Sequence, residues 1–191
     1  MNLQELLRNL RKEVRRLLPE GGTHGYEHTE RVFRLALHIG QRVNADLGIL
    51  LPAALLHDIG RGEIDHAEAG ARRAREILGR IGLKPDRIEA IVEAIETHSF
   101  SGGRAPRTLE AKVLSDADKL DAMGAIGIYR AATYSGEHQR PIEGFIQHFH
   151  EKLLRLRELL YTEEARRMAE ERHRFMLQYL EQLERELNLE T

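Results

Sequence analysis

Ten histidines and no cysteine set the terms for any chemistry in this chain. Without a thiol there is no disulfide scaffold, no thiolate zinc site and no cysteine nucleophile. A bound metal must therefore sit on His, Asp or Glu. The candidates recur at apolar positions of a helical pattern. His28 precedes Val32 and Ala36 by one and two helical repeats. His57-Asp58 follows Leu55-Leu56 at the end of the most apolar stretch. His66 shares a face with Ala69, Gly70 and Ile77, and His98 follows the stripe of Ile91, Ala94 and Ile95. Asp118 lies one turn after Leu114, with Asp121 a further turn on.

Taken singly, an inward histidine is usually a hydrogen-bonded core residue, and Asp58 is explicable as a group at a helix end. Taken together they are harder to dismiss. Two carboxylates facing one apolar interior repel each other, and buried charge is costly unless paired or metal-bound. A divalent cation removes the repulsion, and neutral imidazole nitrogens complete its shell. One or two positions left for water make such a site catalytic rather than structural.

The elements that must position these groups read as helices throughout. No segment alternates polar and apolar residues in the way a half-buried strand requires. Leu3, Leu6, Leu7, Leu10, Val14 and Leu17 space a first helix, stopped by Pro19 and Gly21-Gly22. A second begins near Thr23 or His24 and carries Val32, Leu35, Ala36, Ile39 and Val43. The third is short, apolar and central, tolerates Pro52 in its first turn and runs to Gly60. Further helices are expected from about 65 to 80, from Pro85 to before Ser101, and from 109 to 123. Beyond a small-residue segment around Gly124 and Gly127, two long charged helices follow Pro141. Thr162 caps the second of them. The expectation is one all-α domain over 1–191. Its chemical core spans about 20–135, with the first helix and the C-terminal helices packed around it.

Composition narrows the function. The 29 Lys+Arg against 31 Asp+Glu give a net charge of −2, which argues against a strongly basic nucleic-acid binder. Aromatics at 5% argue against a base-stacking platform. No apolar run approaches the roughly 20 residues of a membrane span, and the N-terminus lacks a signal core. A cytoplasmic protein without membrane or stable nucleic-acid partners is expected. The apolar stripe Phe175, Met176, Tyr179, Leu180 and Leu183 packs internally or forms a homodimer contact.

In order and spacing, His28, His57-Asp58 and Asp118 resemble the H…HD…D signature of the HD-domain metal-dependent phosphohydrolases. The phrases HGYEHTERV, ALLHDIGR, IETHS and LSDADKLDAMGAIGIYRA are similar to those of small stand-alone bacterial members, some of which act on nucleotides. The resemblance covers about residues 23–131. It implies an all-α HD-domain helical bundle, with long additional C-terminal helices. It also implies a divalent ion (Mn²⁺, Fe²⁺, Co²⁺ or Mg²⁺) on His28, His57, Asp58 and Asp118. His66 and His98 would hold a second metal or the substrate phosphate. His98-Ser99 and SGGRAP stand where the cyclic-dinucleotide branch has a paired HH and a GYP element, so that activity is not expected. The surroundings of Glu63 likewise depart from the alarmone hydrolases.

The implied reaction is attack of a metal-activated water on a phosphate ester or anhydride of a small phosphorylated metabolite, foremost a nucleotide. Asp58 would ligate the ion and orient the water, with Glu63 as a second candidate base. Lys119 and Arg31 are the cations nearest the ligands in sequence and are candidates for phosphate contacts, although ion pairs with nearby acids account for them equally well. Asp121 is expected to hold a ligand histidine or Lys119. Arg61 and Arg104 sit in Gly-rich loops and either border the pocket or, the preferred reading, are solvated loop charges. His24 caps a helix or lines the mouth of the site. The alternatives are a non-catalytic signalling or protein-binding module on the same scaffold, and a plain helical bundle that binds no metal.

Overall fold

The computed structural model describes residues 2–63, 66–98 and 105–190, with the side chains of His66 and Ala67 outside the description. Among the described residues there are nine α-helices and no strand. They are α1 (Leu3–Leu17), α2 (Tyr26–Arg42), α3 (Leu47–Leu56), α4 (His66–Ile81), α5 (Pro85–Thr97), α6 (Leu109–Asp121), α7 (Gly124–Glu137), α8 (Ile142–Glu151) and α9 (Glu163–Leu187). The chain divides within α6 into two compact units, 1–118 and 119–191.

In the first unit α3 is the organising element. Leu50 through Leu56 are all buried, so the helix is apolar all round and has to be surrounded. Helices α1, α2, α4 and α5 pack against it. Asp46 starts it: Oδ1 accepts from the Gly48 amide at 2.8 Å, while Oδ2 takes Arg87 at 2.5 Å. Pro52 lies inside the helix, past the first turn in which the sequence pattern set it, because the helix starts as early as Leu47. The helix ends at Leu56 rather than Gly60. From there the chain turns tightly, with Ile59, Arg61 and Glu63 amides each donating three residues back, and Gly62 takes φ +97. Helix α4 passes close behind this turn. A β-carbon on Gly70 would stand 3.4 Å from the His57 carbonyl and the Gly60 amide.

Helix α2 starts at Tyr26, two or three residues later than the pattern suggests. Its first turn is clamped by α1. Glu30 receives Arg11 at 2.7 Å and the Tyr26 hydroxyl at 2.5 Å, and Arg11 also lies 4.2 Å over the Phe33 ring. That turn carries His28.

In the second unit α9 is 25 residues long and is capped by Thr162, whose Oγ1 accepts from the Ala165 amide. The preceding charged segment is not one helix. It breaks at Lys152 and continues as a 3₁₀ segment over Leu153–Leu159. Leu153 and Leu156 are both buried, and their three-residue spacing fits one turn of that tighter helix. Helices α7 and α9 pack on each other. No helix among the described residues is long and apolar enough to cross a membrane.

Candidate metal centre

Three helix ends and one helix face deliver the site. His28 comes from the first turn of α2, His57 and Asp58 from the turn after α3, His98 from the residue after α5, and Asp118 from α6. All belong to the first compact unit. His28 and His57 are fully buried, and Asp58 and His98 nearly so, while a third of the Asp118 side chain is exposed.

The donor atoms converge. His28 Nε2 lies 3.3 Å from His57 Nε2, 3.5 Å from Asp118 Oδ1 and 3.6 Å from Asp58 Oδ2. His57 Nε2 is 4.0 Å from the same Asp58 oxygen. Ligands about 2.1 Å from one ion stand about 3.0–3.4 Å apart at neighbouring positions, so this spacing is close to what a shared cation requires. His28–His57–Asp118 and His57–Asp58–His98 are each close enough to hold one.

Backbone carbonyls fix which nitrogen faces the centre. His57 Nδ1 donates to the Ala54 carbonyl at 2.9 Å, and His98 Nδ1 donates to Ile95 at 2.5 Å. Each Nε2 is thereby left as a bare lone pair. Lone pairs of imidazole and carboxylate aimed at one point repel unless a cation stands between them. The chemistry of the donor set therefore fits a divalent ion.

Electrostatics agree. Burial alone would raise the Asp58 carboxyl, but His57, the bond from His24, Arg61 and His28 hold it well below the usual range. Asp118 is also held down: burial opposes ionisation, and His28, His57 and His98 overcome it. Burial, with help from His57, pushes His98 down to about 4, so it is neutral and available as a donor at neutral pH.

The remaining expectations meet the structure unevenly. His66 opens α4, but its side chain lies outside the described residues, as does all of Arg104. Glu63 is exposed and engaged by Arg73 at 2.5 Å and Arg72 at 3.4 Å, which commits it to α4. Lys119 is buried, with Nζ 5.2 Å from the Tyr161 ring centroid. Arg31 is half-buried on α2, one turn past His28. Asp121 accepts from Arg130 at 3.0 Å, so an arginine is among its partners.

Two residues that the sequence analysis placed at the margin stand at the site. His24 donates from Nδ1 to Asp58 Oδ2 at 3.0 Å and forms a further possible metal group with His28 and Asp58. It precedes α2 in a turn, where no periodicity could mark it; its signal is the HGYEH spacing. Arg61 packs on the His24 ring.

Comparison with known proteins bears on the same residues. Residues 25–123 match the family described as HD domain. The uncharacterized protein YpgQ of Bacillus subtilis strain 168 is 36% identical over 180 residues, which are 90% of this chain and 88% of that protein. The crystal structure of YpgQ in complex with ADP matches at TM-score 0.82 and 36% identity, over 94% of this chain and 97% of the other. An HD-superfamily hydrolase from Bacillus thuringiensis matches at TM-score 0.81 and 30% identity, over 98% and 99% of the two chains.

Proposed function

Because this chain belongs to the HD-domain family, we propose that it hydrolyses a phosphate ester or phosphoanhydride of a small metabolite, with a nucleotide as substrate. The family's hydrolase fold supports metal-dependent phosphohydrolase chemistry in general, and with it a divalent metal. The observation that carries the finer reading is the convergence of His28 Nε2, His57 Nε2, Asp58 Oδ2 and Asp118 Oδ1. The ADP in the YpgQ crystal supports a nucleotide.

In this reading His28, His57, Asp58 and Asp118 are the metal ligands. His98, beside His57 and Asp58, serves a second ion or the substrate phosphate. Bound there, the ion would polarise a phosphoryl oxygen and lower the pKa of a water. The chain supplies the rest. Ala54 and Ile95 carbonyls hold protons on Nδ1 of His57 and His98, so both rings present Nε2. The buried side formed by His28 and His57 excludes solvent, and the exposed edge of Asp118 leaves an approach for substrate. Asp58, ionised and aimed inward, orients the attacking water. The two arginines on Glu63 make it an anchor for the turn rather than a base. The full set of ligand types argues against a non-catalytic module.

The test is phosphate and pyrophosphate release from a panel of nucleotides and simple phosphoesters, with Mn²⁺, Co²⁺ or Mg²⁺. Metal-dependent release is expected, lost in Asp58→Ala and in Asp118→Ala along with bound metal. Unimpaired turnover by Asp58→Ala would overturn the site. Metal retained by Asp118→Ala would move that ligand to buried Asp116.

A further inference from the structure

Asp58 presents its carboxylate from a turn, because α3 already ends at Leu56. The backbone bonds of that turn are modest. The Ile59 amide reaches the Leu56 carbonyl at 3.4 Å, the Arg61 amide reaches Asp58 at 3.0 Å and the Glu63 amide reaches Gly60 at 3.2 Å. Main-chain bonds are commonly about 2.9–3.0 Å long. The turn nevertheless holds Asp58 Oδ2 at 3.6 Å from His28 Nε2 and 4.0 Å from His57 Nε2.

Helix α4 supplies further support. Gly70 and Arg73 are three residues apart and so share one face of it. At Gly70 the two backbones approach closely: a β-carbon there would stand 3.4 Å from both the His57 carbonyl oxygen and the Gly60 amide nitrogen. One turn on, Arg73 spans the turn with both arms of its guanidinium. Nη1 donates to the Ile59 carbonyl at 2.7 Å, and Nη2 donates to Glu63 Oε1 at 2.5 Å. The bond to Ile59 is charge-assisted and shorter than the three backbone bonds of the turn. A guanidinium is planar and its donors keep a fixed spacing. One side chain therefore sets the separation of residues 59 and 63 across Gly62. Ile59 is 2% exposed, so the residue after the ligand is pinned by the core at its side chain and by Arg73 at its carbonyl.

Arg72 gives the contrast. It lies 3.4 Å from the same Glu63 carboxylate, and among the described residues it makes no bond to the backbone of the turn. Glu63, Arg72 and Arg73 side chains are 40%, 60% and 45% exposed, and ion pairs this open add little stability. What sets Arg73 apart is the carbonyl it holds.

We propose that Arg73 is a positioning residue of the metal centre: by gripping the Ile59 carbonyl from α4 it fixes the turn from which Asp58 faces the ion. The proposal rests on the ligand set of the phosphohydrolase reading and is independent of its substrate.

The experiment is calorimetric titration with Mn²⁺, beside visible absorption of the Co²⁺-saturated protein, whose bands report the number and arrangement of ligands. It uses wild type, Arg73→Ala, Arg73→Lys and Arg72→Ala. Arg73→Ala should bind Mn²⁺ about tenfold to a hundredfold more weakly and show an altered Co²⁺ spectrum. Lysine keeps one donor and should restore part of both. Arg72→Ala removes the same charge from beside Glu63 and should match wild type in both readings. A merely stabilising role for Arg73 lowers the denaturant midpoint and leaves the saturated Co²⁺ spectrum in its wild-type form. Should Arg73→Ala fail to fold, Arg73→Lys makes the same comparison with a smaller shift. Wild-type Mn²⁺ affinity and Co²⁺ spectrum in the Arg73 variants overturn the proposal. Equal losses in Arg72→Ala and Arg73→Ala also overturn it, since charge rather than the carbonyl bond would then be responsible. Arg73-dependent metal binding without turnover of any nucleotide or phosphoester overturns the phosphohydrolase reading and keeps Arg73. Wild type that binds neither ion overturns both.

Discussion

Two aspartates, one in each compact unit, are buried almost completely, and they meet opposite partners. Asp121, in the second unit, is 1% exposed and takes Arg130 at 3.0 Å. Asp58, in the first, is 3% exposed and is ringed by His24 at 3.0 Å, His28 at 3.6 Å and His57 at 4.0 Å. An arginine is charged at any working pH, so Asp121 is neutralised by the fold itself. Imidazoles are switchable, and two near Asp58 have a carbonyl or a carboxylate holding their Nδ1 proton. Their neutral form leaves Asp58 without a permanent charge in direct contact, Arg61 acting only from farther off, until a metal cation arrives. A buried carboxylate among histidines is therefore suited to receive a cation, whereas one against arginine is a strut.

The contrast can be broken most directly at its functional end. Asp58→Ala and His57→Ala should each reduce Mn²⁺ binding and turnover to background while far-UV circular dichroism shows near-native helix content. Collapse of the fold instead would make Asp58 a strut as well. Next in size is Asp121→Ala, which removes a buried carboxylate partner of Arg130. A loss of about 3–5 kcal/mol is expected from denaturant unfolding, and an unchanged midpoint would show that the pair contributes nothing. The smallest effect concerns Asp46, a carboxylate whose bond from Arg87 lowers its pKa more than burial raises it. Its folded pKa lies below the unfolded value of about 3.9. The stability it adds is thus complete above that value and is lost as pH falls through the folded pKa. Both partners are near half exposed, so solvent screening limits the gain to under about 1 kcal/mol. Comparing acid unfolding of wild type and Asp46→Asn reads it: the wild type should lose slightly more stability between pH 5 and pH 2.

Helical periodicity was enough to find His28, His98 and Asp118, because each continues an apolar stripe that the core demands. It also found α3, whose apolar run, interrupted only by Pro52 after Ile49, has only an interior to occupy. It could not find His24 or Arg61. Both lie in turns, where side-chain direction follows local hydrogen bonds and no repeat applies. The break at Lys152 was invisible for a related reason: leucines three apart suit an α-helix and a 3₁₀ turn alike. Glu63 and Asp121 show a further limit. Nearness in sequence suggested chemistry for both, and the arginines that engage them come from 9 or more residues away.

His57 and His98 each follow the last residue of a helix, and each spends its Nδ1 proton on a carbonyl of the helix's final turn. Those carbonyls belong to the set that a helix end cannot bond internally. On the proposed ligand set, fraying of the last turn of α3 or α5 therefore dismantles a ligand's orientation along with a backbone bond. Metal occupancy and local unfolding become linked equilibria. An ion at a hundred times its dissociation constant opposes any opening that destroys its site by about 2.7 kcal/mol. Amide hydrogens near Leu56 and Thr97 would then exchange with solvent deuterium about a hundredfold more slowly once the ion binds, and the rigidity of two helix termini would serve as a record of whether the centre is filled.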